Sequence, residues 1–477
     1  MKALVANAKE RKKFEAARPT VTLTELDLSL GYLQAELERI DARIRLAVAR
    51  WQQAGRDPND AFRGLVVSDE DASHLAELPF GVSWGDVAQD DEAARAAIER
   101  QSKAVRQGQS WLELAAQHGV VVRLQHLGRV FELSEFELDT LLLCLAPALD
   151  LRYEQLFSYL QNDINRRRPS VNLALQLLSG AGLERLRKLT SFAADAPLLR
   201  HRLLEYASDP SNPNPPLLAQ TLNVDRVVVN WLLGDYHPPA EMGLHVRLVT
   251  PAVEDEEALL SPNVQSTLRQ ANLLPHALVL FHGPDVTAQM MAAHVLAMQQ
   301  GRPLLIAHVD QLVAQGMAAD HALHLVLRDA LLNNAIAFLP GWDTLLQDRE
   351  TPPHLLAALM AHPDLIVVSS RVAWQPHGQD RPRVMLAVDF DLPDYAQRQL
   401  LWHYYLQTHG VDTKTLDPLA MAGQFSLTTG QIRDAVASAR NQAIRRGSAV
   451  EQEDLFAGAR LHSSARLGDM ARKITPR

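Results

Sequence analysis

The residues with the clearest chemical meaning lie between positions 277 and 294, where an apolar run ends in Gly-Pro and passes directly into a helical pattern. Phosphate-binding loops occur at such junctions because free backbone N–H groups and the helix dipole attract anions. The loop pattern is a glycine, four residues, and then Gly-Lys followed by Ser or Thr. The corresponding positions here include Gly283, Pro284, Thr287, Ala288, Gln289 and Met290.

The end of this loop lacks the groups that handle a nucleoside triphosphate. Gln289 stands in the lysine position, so no cation reaches the β- and γ-phosphates. Met290 offers magnesium no hydroxyl, and Ala288 restricts a turn that glycine would permit. The segment therefore keeps the start of the pattern without its phosphate chemistry.

A hydrolysing site also needs an apolar strand that ends in two carboxylates, one for magnesium and one to activate water. The matching run is 335–339, and Pro340 and Gly341 stand where the carboxylates belong. Asp343 follows at a position that we expect in a loop. These two losses predict that the site does not hydrolyse nucleotide, while weak binding of ATP through the backbone alone stays open.

The remaining reactive side chains predict no second site. His321 and His324 follow Asp320 at helical spacing, but no second cluster supplies further ligands, so we predict no metal. Cys144 is the single cysteine, lies among leucines, and is predicted to be a core residue rather than a nucleophile. A lone cysteine also excludes an intramolecular disulfide, which fits a reducing compartment.

Composition narrows the class of protein. The chain has 477 residues, which is enough for about three domains. Lys plus Arg number 47 and Asp plus Glu number 56, and the resulting net charge of −9 argues against a chain that coats nucleic acid. The start of the chain lacks the apolar core of a secretory signal, and no apolar run approaches the roughly 20 residues of a membrane helix. We therefore expect a soluble, cytoplasmic protein without a membrane partner.

Helical periodicity dominates the first half of the chain. Apolar residues recur at steps of three and four over 30–51, which favours one side of a local helical hairpin and leaves a dimeric coiled coil as the alternative. Residues 55–90 are predicted to be loop-rich. A helical unit follows at 126–250, in which the Pro-rich stretch 209–216 predicts a loop or wing and 217–233 predicts a helix. This pattern suits a helix-turn-helix or winged-helix module.

After residue 276, short apolar runs alternate with helical stretches. Five runs are predicted strands: 277–282, 303–309, 335–339, 365–370 and 384–390. Strands separated by helices imply crossover connections and a parallel sheet covered on both faces, which is an α/β domain. Beyond Pro393 the chain is predicted to be helical again, with Thr428 or Thr429 capping one helix and Gly447 ending it.

These elements together resemble a known family. The order of elements from 277 to 447 resembles an AAA+ ATPase module, a P-loop NTPase-like fold with a helical lid. Three segments carry this resemblance further: Ser369-Ser370 at the sensor-1 position, DLPDYAQRQLLWHYYL at 391–406 and LTTGQIRDAVASA at 427–439. The block LAPALDLRYEQLFSYLQNDINRRRPSVNLALQLL at 145–178 is similar to the winged-helix region joined to AAA+ ATPases of phage-tail-like contractile injection systems.

The resemblance implies four parts and several site residues. The parts are a helical N-terminal region at 1–125, a winged-helix-like domain at 126–250, a degenerate AAA+ core at 251–393, and a helical lid and linker at 394–477. It places Arg433 near the sensor-2 position, where a helix-surface salt bridge is the alternative. Arg381 or Arg383 would reach a neighbour's γ-phosphate in a ring, with a solvated turn as the alternative.

The resemblance also implies a function, cofactors and partners. ATP and magnesium are the family's cofactors, although the loop of this chain argues against both. In that family a degenerate module is typically followed by an intact one, so the chain is either part of a longer protein or a stand-alone scaffold. Either way, we expect a partner-binding scaffold of a ring, built from copies of this chain or with a second AAA+ module, that serves an injection apparatus.

Two alternative functions stay open. The first is an AAA+ module that binds ATP and hydrolyses it slowly or not at all. The second is a winged-helix regulator that reads DNA, for which the arginines 166–168 and the cluster Arg185, Arg187 and Lys188 are the candidate contacts. A solvated helix end, favoured by the helix dipole, is the preferred explanation of 166–168. The acidic chain also argues against nucleic acid.

Overall fold

We describe a computed structural model of the chain, which covers residues 23–53, 91–207, 212–250, 255–374, 383–414 and 416–471. The chain divides into two compact units, Met1–His237 and Pro238–Arg477, and each is described by itself. Across the described residues, no helix is both long and apolar enough to cross a membrane.

The first unit begins with two long helices that pack against each other, α1 at Glu25–Gln53 and α2 at Asp91–Gln117. A Cβ added to Gly31 of α1 would lie 2.4 Å from Trp111 of α2, and one added to Gly108 of α2 would lie 3.4 Å from Glu36 of α1. Later positions of α1 thus meet earlier positions of α2, so the two helices run antiparallel. The predicted local pairing of helices is present, but the α1 residues that meet α2 in these contacts, Gly31, Tyr32 and Ala35, lie on a different face from the apolar stripe of 30–51. The predicted loop-rich segment 55–90 lies outside the described residues.

Shorter helices complete the first unit: α3 Arg123–Val130, α4 Glu135–Leu149, α5 Arg152–Leu160, α6 Val171–Leu178, α7 Leu183–Lys188, α8 Pro197–Arg200 and α9 Arg226–Leu232. Most side chains of α4 are buried, as its apolar sequence predicts. Ser170 caps α6 by accepting a hydrogen bond from the N–H of Leu173, which confirms the predicted cap.

A small hairpin in this unit corrects one prediction. Residues 217–233 do not form one helix: a 3₁₀ turn at Leu217–Ala219 is followed by strand β2 at Leu222–Val224, and only then by α9. β2 pairs antiparallel with β1 at Leu204–Tyr206. The Asp225 carboxylate accepts from the N–H of Val227 and so starts α9 after the strand. Pairing with a distant strand has overridden the local helical pattern.

The second unit contains a sheet of six strands in the order β3-β5-β6-β7-β4-β8. Their bounds are β3 Val246–Val249, β4 Leu278–His282, β5 Leu304–Ala307, β6 Ile336–Leu339, β7 Ile366–Ser370 and β8 Met385–Asp389. The last five confirm the predicted strands with slightly shorter ends, and they pair in parallel with one another. β3 was not predicted; it pairs antiparallel with β5 at the edge.

Helices connect and cover these strands, so the unit has the predicted α/β character: α10 Pro262–Asn272, α11 Val286–Gln299, α12 Val309–Ala314, α13 Ala319–Leu332 and α14 Pro353–Ala361. Further 3₁₀ turns lie at Leu189–Phe192 in the first unit and at Ala240–His245, Asp255–Leu259 and Trp342–Leu345 in the second. Because the parallel strands end at one edge, His282 of β4 lies in register between Ser370 of β7 and Asp389 of β8.

Four helices follow the sheet: α15 Tyr395–Thr408, α16 Pro418–Gln424, α17 Thr429–Arg446 and α18 Gln452–Ala471. Thr428 caps α17 in a capping box with Gln431, and Gly447 ends the helix at a φ of 71°, which confirms both signals. We call α15–α18 the C-terminal helices. The inner side of α17 and the apolar residues of α11 belong to the same buried core.

The sequence predicts four segments: 1–125, 126–250, 251–393 and 394–477. The boundaries between them stay predictions. The structure divides the chain between His237 and Pro238, and it places β3 in the sheet of the second unit.

Candidate functional site

The predicted phosphate loop lies at the carboxyl end of β4, between the neighbouring ends of β7 and β8. In parallel α/β sheets, ligands bind at this edge. The chain leaves β4 at His282, turns through Gly283 and Pro284, and starts α11 at Val286. We call residues 283–290 the β4–α11 turn.

Gly283 is needed for packing in this turn. Its φ is 128°, and an added Cβ would lie 2.2 Å from the carbonyl oxygen of Phe390. Its N–H donates to the carbonyl of Ser370 at 3.1 Å. The conformation and the close backbone approach both require glycine, without any contribution from a bound phosphate.

Gln289, in the predicted lysine position, is completely buried and closes the turn from within. Its Nε2 donates to the carbonyl oxygen of Gly283 at 3.0 Å, and its Oε1 accepts from the hydroxyl of Ser369. A longer contact of 3.5 Å joins Nε2 to the carbonyl of Ser370. The structure thus brings four predicted positions together in an uncharged hydrogen-bond network.

Asp285 is a residue of this turn that the sequence analysis missed. It is 1% exposed, and it caps α11 by accepting from the N–H of Ala288 at 3.1 Å. Its second carboxylate oxygen accepts from the N–H of Thr429 at 2.7 Å. The sequence signal was available, because an aspartate directly before a helix is a common N-cap.

The other predicted loop positions face protein or solvent. Pro284 is exposed, while Ala288 and Met290 pack against the hydrophobic core. Thr287 lies against Gly430 of α17: a Cβ added to that glycine would lie 2.5 Å from Thr287 Oγ1.

The strand that corresponds to the predicted carboxylate motif, β6, is followed by Pro340 and Gly341, as the sequence requires. Gly341 has a φ of 75°, and an added Cβ would lie 2.8 Å from the carboxylate of Asp310. Asp310 comes from α12, so a carboxylate does approach the end of β6, though from another element. Asp343 lies in the 3₁₀ turn at Trp342–Leu345, and its Oδ1 accepts from the N–H of Arg371 at 3.2 Å.

Burial lowers the pKa of two histidines near these strand ends, His282 and His308. Burial lowers the pKa of His282, against the opposing effect of the Asp389 carboxylate. Burial likewise lowers the pKa of His308, although Asp310 favours its charged form. Both rings therefore favour the neutral state, in which they offer no positive charge to a phosphate.

The predicted trans arginines differ in what the structure shows. Arg381 lies outside the described residues. Arg383 is buried, and its guanidinium donates to four backbone carbonyls: those of His276, Ala277, Leu359 and Asp364. Three of these precede β4 and β7, at the end of the sheet opposite the β4–α11 turn. Burial lowers the pKa of Arg383 to about 10, against the favourable charge of Asp364.

Arg433 lies on the exposed side of α17 and pairs with Asp434 at 2.9 Å, as expected for a helix-surface salt bridge. His324 Nδ1 is 2.8 Å from the carbonyl oxygen of Asp320, while His321 Nε2 is 3.7 Å from Glu241 Oε1. No group of three or more His, Cys, Asp and Glu side chains suited to a metal ion occurs within the described ranges.

The predicted core cysteine and the candidate DNA contacts belong to the first unit. Cys144 is buried in α4, and burial raises the pKa of its thiol, which fits the predicted core role. Of the arginines 166–168, Arg166 pairs with Asp163 at 3.2 Å. In the second cluster Arg185 is only 8% exposed while Arg187 is exposed, so the cluster offers fewer basic side chains to a nucleic acid than its sequence suggests.

Two protein-family models match the chain. Residues 27–245 match a winged helix domain, variant, and residues 394–472 match the contractile injection system ATPase helical domain. The two matches support a relationship to contractile injection system ATPases. No curated protein matches the chain.

These matches correspond to recognisable parts of the structure. The second match spans the C-terminal helices α15–α18, whose first residue follows the Asp394 cap. The first match covers α1–α9 with the β1–β2 hairpin. It begins well before residue 126, where the sequence analysis placed the start of its winged-helix-like domain.

Proposed function

We propose that this chain is a non-hydrolysing part of an ATPase that serves a contractile injection apparatus. The six-stranded sheet and the C-terminal helices would form an AAA+-like module with a degenerate nucleotide site, and the winged-helix part would bind a protein partner. The two family-model matches support the link to the apparatus. The α/β sheet that precedes the matched helices supports the module.

The buried position of Gln289 carries the proposal that the module lacks catalysis. Phosphoryl transfer depends on a cation at the transferred phosphate and on magnesium held by carboxylates. Here the lysine position holds a carboxamide that is already bonded to Gly283 and Ser369. The position after β6 holds Pro340 and Gly341, neither of which binds magnesium through its side chain.

A module of this kind contributes to the apparatus by assembly. Its surfaces would hold a ring together, either among copies of the chain or beside an intact AAA+ module, and that intact module would supply hydrolysis. ATP and magnesium would then act outside the β4–α11 turn of this chain.

Nucleotide titration tests the catalytic part of the proposal. The purified chain is titrated with a fluorescent ATP analogue, with and without magnesium, and phosphate release is followed in parallel. We expect neither saturable binding nor hydrolysis. Tight magnesium-dependent binding would favour the alternative of an ATP-binding module, and phosphate release above the buffer rate would refute the proposal.

Co-sedimentation tests the part that concerns the apparatus. Purified contractile injection particles are pelleted with and without the chain, and the oligomeric state of the free chain is measured by light scattering. We expect the chain in the pellet only with particles, together with oligomers that do not depend on ATP. A chain that stays monomeric and in the supernatant would contradict the scaffold role.

A further inference from the structure

The carboxylate of Asp285 joins the first turns of two helices that are far apart in the chain. One oxygen accepts from Ala288 in the first turn of α11, and the other accepts from Thr429, the first residue of α17. The two bonded positions, 285 and 429, are separated by 144 residues. One side chain therefore links the sheet to the C-terminal helices.

Helix starts are well suited to hold such a group. The first N–H groups of a helix have no partner within the helix, and the dipole places partial positive charge there. A carboxylate that is 1% exposed would be costly to bury without compensation. Two N–H donors and two helix starts supply that compensation, in the way that a phosphate is held at a helix start.

Packing closes the same junction beside the carboxylate. Thr287 and Gly430 approach so closely that a Cβ on Gly430 would lie 2.5 Å from Thr287 Oγ1. Thr429 is 3% exposed. The start of α17 thus lies directly on the β4–α11 turn, where an incoming phosphate would need space.

We propose that Asp285 is a built-in anion that takes the place of a phosphate at the β4–α11 turn and holds the start of α17 against it. The C-terminal helices are thereby kept closed on the sheet without nucleotide. This link is a property of the chain alone, so it stands whether or not the chain serves an injection apparatus.

Residue-resolved hydrogen exchange on the full chain tests the link, because the N–H of Thr429 has no partner within its own helix. In Asp285→Ala we expect exchange at 429–432 to rise about fivefold to tenfold, as for the loss of a helix cap. Protection in β4 and β7 should stay unchanged, which shows that the sheet remains folded. Unchanged exchange at 429–432 would overturn the proposal.

Asp394→Ala is the matched control. Asp394 caps α15 within the same C-terminal helices, and its carboxylate accepts from the N–H of Gln397 in its own first turn. The Asp394→Ala substitution removes a helix cap but no link to the sheet, so exchange at the start of α17 should stay at the wild-type rate. An equal rise in both variants would mean that Asp285 is an ordinary cap, and the proposal would fail.

Two further measurements keep the proposal testable if Asp285→Ala does not fold. Gly430→Ala should force α17 away from Thr287 and raise exchange at 429–432, whereas Gly423→Ala, whose Cβ would meet Tyr395 at an ordinary 3.7 Å, should not. In the wild-type chain, ATP with magnesium should leave the exchange at 429–432 unchanged. A change in exchange on adding ATP would contradict a link that is independent of nucleotide. Equal exchange at 429–432 in the two glycine variants would contradict the packing of α17 on the β4–α11 turn.

Discussion

Gln289 and Ser369, eighty residues apart in the chain, share a buried hydrogen bond in which the serine hydroxyl donates to the carboxamide oxygen. The same carboxamide donates to the carbonyl of Gly283. A lysine in this position would have no room to meet a phosphate unless the turn first opened. The degenerate loop is therefore a packed structural element.

Restoring the lysine is expected to damage the fold without restoring nucleotide binding. Gln289→Leu should lower the free energy of unfolding by about 1–3 kcal/mol, because Ser369 and Gly283 lose their partner. Gln289→Lys should cost more, since it also buries a charge. Urea unfolding and titration with a fluorescent ATP analogue measure both effects. The exposed Gln407→Lys is the control, and saturable ATP binding by Gln289→Lys would contradict this expectation.

Replacing Gly283 by alanine tests whether packing requires this glycine. Gly316→Ala is the control, because its φ of 97° is strained for alanine but nothing lies within 4 Å of the added Cβ. We expect about 1–2 kcal/mol of destabilisation for Gly316→Ala from backbone strain. Gly283→Ala should cost about 1–3 kcal/mol more, because its Cβ meets the Phe390 carbonyl. Equal losses in urea unfolding would show that this contact relaxes easily.

Arg383 is expected to stabilise the sheet. Arg383→Met removes a donor from four backbone carbonyls, two of them in fully buried hydrogen bonds, so the free energy of unfolding should fall by at least about 2 kcal/mol. The exposed Arg371→Met should have little effect. A trans arginine predicts a different result, in which Arg383→Met keeps the stability of the chain but slows hydrolysis by a partner module.

The ion pair of Asp364 with Arg302 makes the stability of the chain depend on pH. Burial opposes the charged carboxylate, but its bonds with Arg302 and with the N–H of Leu365 prevail, so the pKa of Asp364 is lowered. A lowered folded pKa stabilises the fold above the unfolded pKa of about 3.9. That stabilisation is lost as the pH falls through the folded pKa.

Asp364→Asn should therefore cost about 2 kcal/mol at neutral pH, as expected for the loss of a charged hydrogen bond. The difference from the wild type should shrink as the pH falls below about 4. Urea unfolding across this range measures it, with the exposed Asp391→Asn as the control. A difference that stays constant down to acid would show that charge is not its source.

Much of the fold could be predicted because its signals are local. All four residues of Ile336–Leu339 are buried, and such a strand shows in the sequence as a continuous apolar run. Thr428 and Gly447 mark the ends of α17 by their own backbone chemistry. Where stability comes from distant pairing the signal fails, as at Leu222–Val224, whose strand depends on Leu204–Tyr206.

The chemistry that the turn lacks can be read from residue types alone, because the lysine, the hydroxyl and the pair of carboxylates are missing from their positions. The groups that fill their place are set by tertiary contacts. Gln289 meets Ser369, and Asp285 meets Thr429, across long stretches of chain that no local rule connects. These contacts exist because parallel strands end at one edge and the start of α17 packs there, so that buried polar groups find their partners.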